Sequence, residues 1–446
     1  MPQRNFLILL MAIAASYVCY VQGAQDPFCK YVAGGLQAIR ESALEPVPSR
    51  ELFDGAMDGM VNILRQRGDE HSRFLGEVAA GELRNEVHQQ IGGIGVRIGV
   101  EGDPPRLEIV GPPDPGTPAA TAKLEPGDHI LQIDGQPTGA MRLNDALALI
   151  RGEPGTIVRL SIKHAGDAQP HTVELTRSVI QIDSIYGDRR DANGHWQFTL
   201  ADDPRIAVVR ITLFGDRTAA EFASVLKTLK REGVQAIVLD LRDNAGGALG
   251  GAVEICEMLL PADQTIVETR GRDEVVRQRY VTNAAGEYSD WPLAVIVNQN
   301  SASAAEIVAA CLQDHKRAVV VGERSYGKGT VQQLVPLEAG KSLLKLTWAS
   351  FWRPNGANIH HAVGAPDSAT WGVLPDPGFE RKLTPNEYAA YEEYRNHRDE
   401  DRQRPAASDS KSTDTPENAA ADSATGRFVD EPLELAKHYL QGKLSD

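Results

Sequence analysis

Three short segments carry residue types that together could perform acyl transfer. The first holds Ser303, in the run Asn298-Gln-Asn-Ser-Ala-Ser303-Ala-Ala-Glu306-Ile307, which follows an apolar strand and opens an alanine-rich helix. A hydroxyl at a strand-to-helix turn sits beside the amide of the next residue, Ala304, and the positive end of the helix dipole, both suited to stabilising an oxyanion. The same spacing also reads as a capping box, with Glu306 three residues after Ser303 serving the orphan amides of the first turn. A serine nucleophile needs a base. No histidine stands in a recognisable nucleophile-elbow context, so a lysine becomes the candidate. Lys328, between Gly327 and Gly329, can accept a proton only when neutral, which calls for desolvation of its ammonium. Gln332 would share a face with Lys328 in an extended segment, where its amide could orient the amine without adding charge. The third segment, Asp240-Leu-Arg-Asp-Asn-Ala-Gly246-Gly247, ends an apolar strand in two glycines. These allow close backbone approach and a second oxyanion amide. Taken singly, each feature has a plainer reading as a surface lysine, a strand-face amide or a tight turn.

The run Gly322-Glu-Arg-Ser-Tyr-Gly327-Lys328-Gly329 imitates a phosphate-binding loop. It fails at the last position, where a Ser or Thr must hold magnesium and Gly329 stands instead. The residues that follow, 330–335, are strand formers, whereas a phosphate loop needs a helix whose amides face the anion.

The elements that must position these residues are legible in outline. With 446 residues the chain is long enough for roughly three domains. It has 42% hydrophobic and 24% charged residues and a net charge of −15, a composition that excludes fibrous, wholly disordered and multi-span membrane classes and disfavours nucleic acid as partner. Residues 1–23 read as an export signal: Arg4, an apolar run over 6–21, then Gly23 and Ala24. If uncleaved, the same run would tether the protein to a membrane. Cys29, Cys256 and Cys311 would remain after cleavage, too few for a disulfide framework. Residues 24–88 read as a helical segment, with Phe53, Met57, Met60, Val61 and Leu64 on one face. Short strands at 91–100, 107–110, 129–133 and 156–162, with one helix at 143–151, predict a small, partly open β-barrel. Over 206–335, apolar strands alternate with helices, which predicts a mostly parallel sheet covered on both faces, with ligands beyond the carboxyl ends of its strands. Thr384-Pro385 starts a short helix to about residue 394. Residues 396–427 form a polar linker expected to be disordered, and 428–446 a helix able to dock back.

The three chemical segments, in this order, resemble the C-terminal processing, or tail-specific, serine proteases. The resemblance implies an α/β and β mixed, multidomain fold: a crotonase-like α/β protease core over 181–395, an inserted PDZ domain over 89–180 and an N-terminal helical segment. It implies Ser303 as nucleophile, Lys328 as base, Gln332 orienting the lysine, and an amide of Gly246 or Gly247 joining that of Ala304 as oxyanion hole. Upstream, Gly92-Gly-Ile-Gly-Val96, Leu124-Glu-Pro-Gly-Asp128 and Arg151-Gly-Glu-Pro-Gly-Thr156 look like the family's PDZ domain, and Asp69-Glu-His-Ser-Arg-Phe74 like its signature before that domain. Such a domain holds a chain end by adding a strand. Gly93, Ile94, Gly95 and Val96 would cradle the terminal carboxylate, and Leu147 and Ile150 would line the side-chain pocket. Ala305 stands where the family usually has serine, and Lys123 where it usually has glycine.

The expectation is an exported, periplasmic or cell-envelope serine endopeptidase that cleaves proteins near their C-termini after PDZ recognition of the chain end. Neither cofactor nor metal is expected; the adjacent His360 and His361 are only a weak metal motif. The rival is a peptide-binding chaperone or scaffold on the same fold, which would take no label from a serine-reactive probe.

Overall fold

The computed structural model describes residues 27–101, 106–164, 166–191, 194–362, 370–400 and 428–445, with single positions 13, 16, 364 and 366. Apart from positions 13 and 16, the expected export signal lies outside the described residues, as does 401–427. Among the described residues no helix is long and apolar enough to cross a membrane. The chain forms two compact units, one of residues 1–80 and 332–347, the other of 81–331 and 348–446.

In the first unit, helices Pro27–Ser42 and Ser49–Gln66 precede a three-residue strand, Arg73–Leu75. Phe53 meets Phe74 edge-on at 5.6 Å and Val61 is buried, whereas Met60, expected on the same face, is exposed. The Asp69 carboxylate explains the polar signature that breaks the helical pattern. It accepts the amides of His71 and Ser72 and the hydroxyls of Ser72 and Thr347. Those hydroxyl and amide donors hold its carboxyl below the usual range against the opposing effect of burial. So fixed, Arg73–Leu75 pairs antiparallel with residues 343–345 of the long strand Ser342–Trp352.

Among the described residues the second unit contains a six-stranded antiparallel sheet, open at both edges, in place of the expected small, partly open barrel. Strands Ile98–Glu101, Arg106–Ile109, His129–Ile133, Ile157–Lys163 and His171–Thr176 pair in chain order. Val158, Leu160 and Ile162 turn inward at every second position of their strand, and helix Leu143–Ile150 adds Ala146 and Ile150 to the same core. The single strand read over 91–100 is two, Gln90–Gly93 and Ile98–Glu101, separated by a loop with Gly95 at φ 79°. Lys123 takes φ 58°, the left-handed conformation that suits glycine, and the turn still closes through Leu124 N–H to Ala119 O at 3.1 Å.

The α/β part is the expected parallel sheet. Ile206–Ile211, Ala236–Asp240, Leu293–Val297 and Val319–Gly322 lie side by side in parallel, with Ile185–Tyr186 antiparallel at one edge. Alternate residues serve opposite faces. Val209, Leu239 and Val295 pack under helices Thr218–Arg231, Leu249–Leu259 and Ala304–Asp314. Val208, Val238 and Ile296 pack under the C-terminal helix Glu431–Ser445 through Leu433, Ala436 and Leu440. Arg242, buried just beyond the second strand, anchors the start of that helix by pairing with both Asp240 and Asp430, its guanidinium lying 4.4 Å over the Tyr391 ring. Helix Pro385–Glu400 runs past residue 394, so 396–400 are helical and not linker. The pair Thr265–Arg270 and Val276–Val281 was not legible; in Val-Arg-Gln-Arg-Tyr-Val neither face is consistently apolar, and most of the strand is exposed.

Leu440 is fully buried on the sheet face that this helix covers. Leu440→Ala should therefore lower unfolding stability by about 2–4 kcal/mol, read from the urea midpoint.

Candidate active site

At the carboxyl ends of the parallel strands three turns meet. The first follows Leu293–Val297. Ser301 Oγ accepts the Asn298 amide and donates to Leu241 O, and the Ala302 amide bonds to Asn244 O, which ties this turn to the one after Ala236–Asp240. Ser303 then caps helix Ala304–Asp314 with φ 56° and ψ −115°. A non-glycine residue with this backbone stores roughly 1–3 kcal/mol of strain, and a sharp strand-to-helix turn of this kind holds a side chain out from the sheet. Ser303 and Ala304 are both buried.

The second turn holds the double glycine. Gly246 has φ 97°, and a Cβ there would lie 2.6 Å from Ser303 Cβ; at Gly247 it would lie 2.1 Å from Phe214 O. No side chain fits either place. The Gly246 amide donates to Asn244 Oδ1 at 2.8 Å, while Asn244 Nδ2 donates to Ile211 O at 2.7 Å.

The third turn is Gly322 to Gly329, and it continues into strand Thr330–Leu337, not into a helix. A Cβ on Gly329 would come 2.2 Å from His360 N, and one on Gly327 would come 2.8 Å from both His361 Cβ and Trp371. The glycines flanking Lys328 thus let the chain around His360 and His361 pass directly against it. His361 stacks on Trp371 at 4.1 Å and its amide donates to Gly327 O at 2.8 Å, so the histidine pair packs this turn. Lys328 itself is half-buried.

Glu306 joins these turns. One carboxylate oxygen, Oε2, accepts the Ser303 amide and the Lys328 amide, each at 2.8 Å; the other, Oε1, accepts the Gly327 amide and the Ser325 hydroxyl, each at 2.6 Å. The carboxyl is fully buried, and burial pushes it above its usual range while the Ser325 hydroxyl and the three amides pull the other way. Two further links, Tyr326 N–H to Ser301 O and Ser325 Oγ accepting the Val373 amide, close the assembly.

The turns that carry Ser303, Ala304, Gly246, Gly247 and Lys328 are therefore brought together. Within the first compact unit, Gln332 Nε2 donates to Thr347 Oγ1 at 3.4 Å. The loop expected to cradle a chain end has Gly93, Ile94 and Gly95 buried and Val96 half-buried; Ile94 O accepts the Ala119 amide. Ile150 is in the core of that domain and Leu147 is half-exposed beside it. Asn244, Ser301 and Ser325 were not singled out from the sequence, since a side chain that holds a distant turn has no spacing signature. Glu306 was read only as a cap.

Comparison with known proteins shows the family. Peptidase family S41 matches residues 205–376, and the PDZ domain matches 109–163. The chain is 30% identical to the carboxy-terminal-processing protease of Bartonella bacilliformis over 80% of this chain and 76% of that one. It is 32% identical to the carboxyl-terminal-processing protease of Synechocystis over 77% and 75%. The solved photosystem II D1 C-terminal processing protease aligns with TM-score 0.44 and 27% identity, covering 79% of this chain and 92% of that one. These matches identify a serine-type peptidase with a PDZ domain. The chain belongs to the carboxy-terminal-processing proteases of peptidase family S41.

Because both oxygens of Glu306 are acceptors, Glu306→Gln must turn an amide NH2 toward donors on one side. We expect a loss of about 2 kcal/mol or more in thermal or urea unfolding and at least a tenfold drop in casein hydrolysis. Wild-type stability and rate in this variant would contradict the bridging role.

Proposed function

We propose that Ser303 is the nucleophile and Lys328 the general base of a Ser–Lys endopeptidase that trims exported proteins near their C-termini. The observation that carries this reading is that one oxygen of buried Glu306 holds the backbone amides of both residues at 2.8 Å. In this scheme the lysine amine takes the proton from Ser303 Oγ as the oxygen attacks the scissile carbonyl, then gives it to the departing amine. It next draws a proton from water for deacylation. The negative charge on the tetrahedral oxygen falls to the Ala304 amide at the helix N-terminus and to one glycine amide. Since the Gly246 amide is committed to Asn244, we assign that second role to Gly247.

Substrate selection follows from the PDZ domain. The chain end would add as a strand beside the loop of Gly93, Ile94, Gly95 and Val96, with its carboxylate on the loop amides and its last side chain toward Leu147 and Ile150. Residues 1–23 would direct the protein to the periplasm or cell envelope.

Ser303→Ala and Lys328→Ala should each cut hydrolysis of an unfolded substrate by about 10³-fold or more while leaving the unfolding midpoint near wild type. A fluorophosphonate should label the wild type and not Ser303→Ala. A peptidase that stays active in either variant, or takes label without Ser303, rules out the dyad. The rate should also climb between about pH 6 and about pH 9 as a larger fraction of the lysine becomes neutral, and a flat profile counts against an amine base.

A further inference from the structure

On the PDZ domain, far in sequence from the peptidase turns, the hairpin joining strands Ile157–Lys163 and His171–Thr176 gathers a set of metal-ligand side chains. His164 directly follows the first strand and His171 begins the second, with Asp167 in the turn between them, its amide bonded to His164 O at 3.1 Å. One ligand atom from each of His164, Asp167 and His171 lies within 4.8 Å of the others. The two imidazoles face each other with ring centroids 4.8 Å apart. Donors in a tetrahedral zinc site, each about 2.0–2.1 Å from the ion, stand about 3.4 Å apart, so a small side-chain adjustment in a surface hairpin would close the set.

A second, independent feature lies behind it. Asp128 is buried at 2% exposure, and its Oδ1 is 2.5 Å from His164 Nδ1. Its other oxygen is held by the Glu125 amide at 2.9 Å. An ionised carboxylate only accepts, so it keeps the imidazole proton on Nδ1 and leaves the Nε2 lone pair for an ion. A buried carboxylate behind a half-exposed histidine is the usual outer shell of a zinc ligand, where it fixes the tautomer and the ring orientation.

We propose that this hairpin binds one Zn²⁺ through His164 Nε2, Asp167 and His171, with water as the fourth ligand, and that Asp128 positions His164. The ion would staple the two strands at their open end. This inference does not depend on the dyad assigned above.

The test is isothermal titration of untagged, EDTA-treated full-length protein with ZnCl2, with MgCl2 as control. The expected result is one Zn²⁺ per chain and no Mg²⁺. His171→Ala and Asp167→Ala, both in exposed positions, should each weaken Zn²⁺ binding at least tenfold with unchanged circular dichroism. Asp128→Asn, which still accepts the Glu125 amide, should weaken it about 10–100-fold. Casein hydrolysis by the EDTA-treated protein should be the same in wild type and His171→Ala. Absence of Zn²⁺ binding in the wild type, or variants that bind it as tightly as the wild type does, overturns the proposal.

Discussion

A buried carboxylate with four donors is the constraint on which the site rests. Glu306 sits on the first turn of its helix, yet two of its four bonds go to Gly327 and Lys328, more than twenty residues away. In a dry environment an unsatisfied amide is costly, so the carboxylate and the amides hold one another in place. The same group also serves the Ser303 amide, at a residue whose backbone is strained. That strain is tolerated because the surrounding bonds over-determine it. One side chain thereby couples a nucleophile-type turn to a lysine-bearing turn.

Around this bond the site is made of close backbone approaches. Gly246 lies against Ser303, Gly247 against Phe214 and Gly329 against His360, each too near for a β-carbon. The glycines mark where separate loops touch, which is why they cluster in motifs around Ser303 and Lys328. Packing of this kind leaves little play. The parallel sheet beneath, apolar on both faces, supplies the rigid platform, and the helix ending the chain completes it by covering the second face.

Much of this was legible in the residues. Strands such as Ile206–Ile211 and Leu293–Val297 are continuous apolar runs, and fully buried parallel strands must be so. The alternation in Ile157–Lys163 is equally direct, as is the turn from the strand into the helix after Ser303. Strand Val276–Val281 was hidden because an exposed strand need not alternate. The break between Gly93 and Ile98 was hidden because a glycine-rich run suits both a strand and a loop.

Local propensity and period were enough to read the residue types, the apolar strands and helices of the parallel sheet, and the glycines that permit loops to touch. Folding settled which carboxylate joins the three turns and which of two adjacent glycines gives its amide to Asn244. It also decided that a helix from the far end of the chain closes the sheet. Those outcomes depend on bonds between residues remote in the chain, and no local pattern encodes where such partners meet.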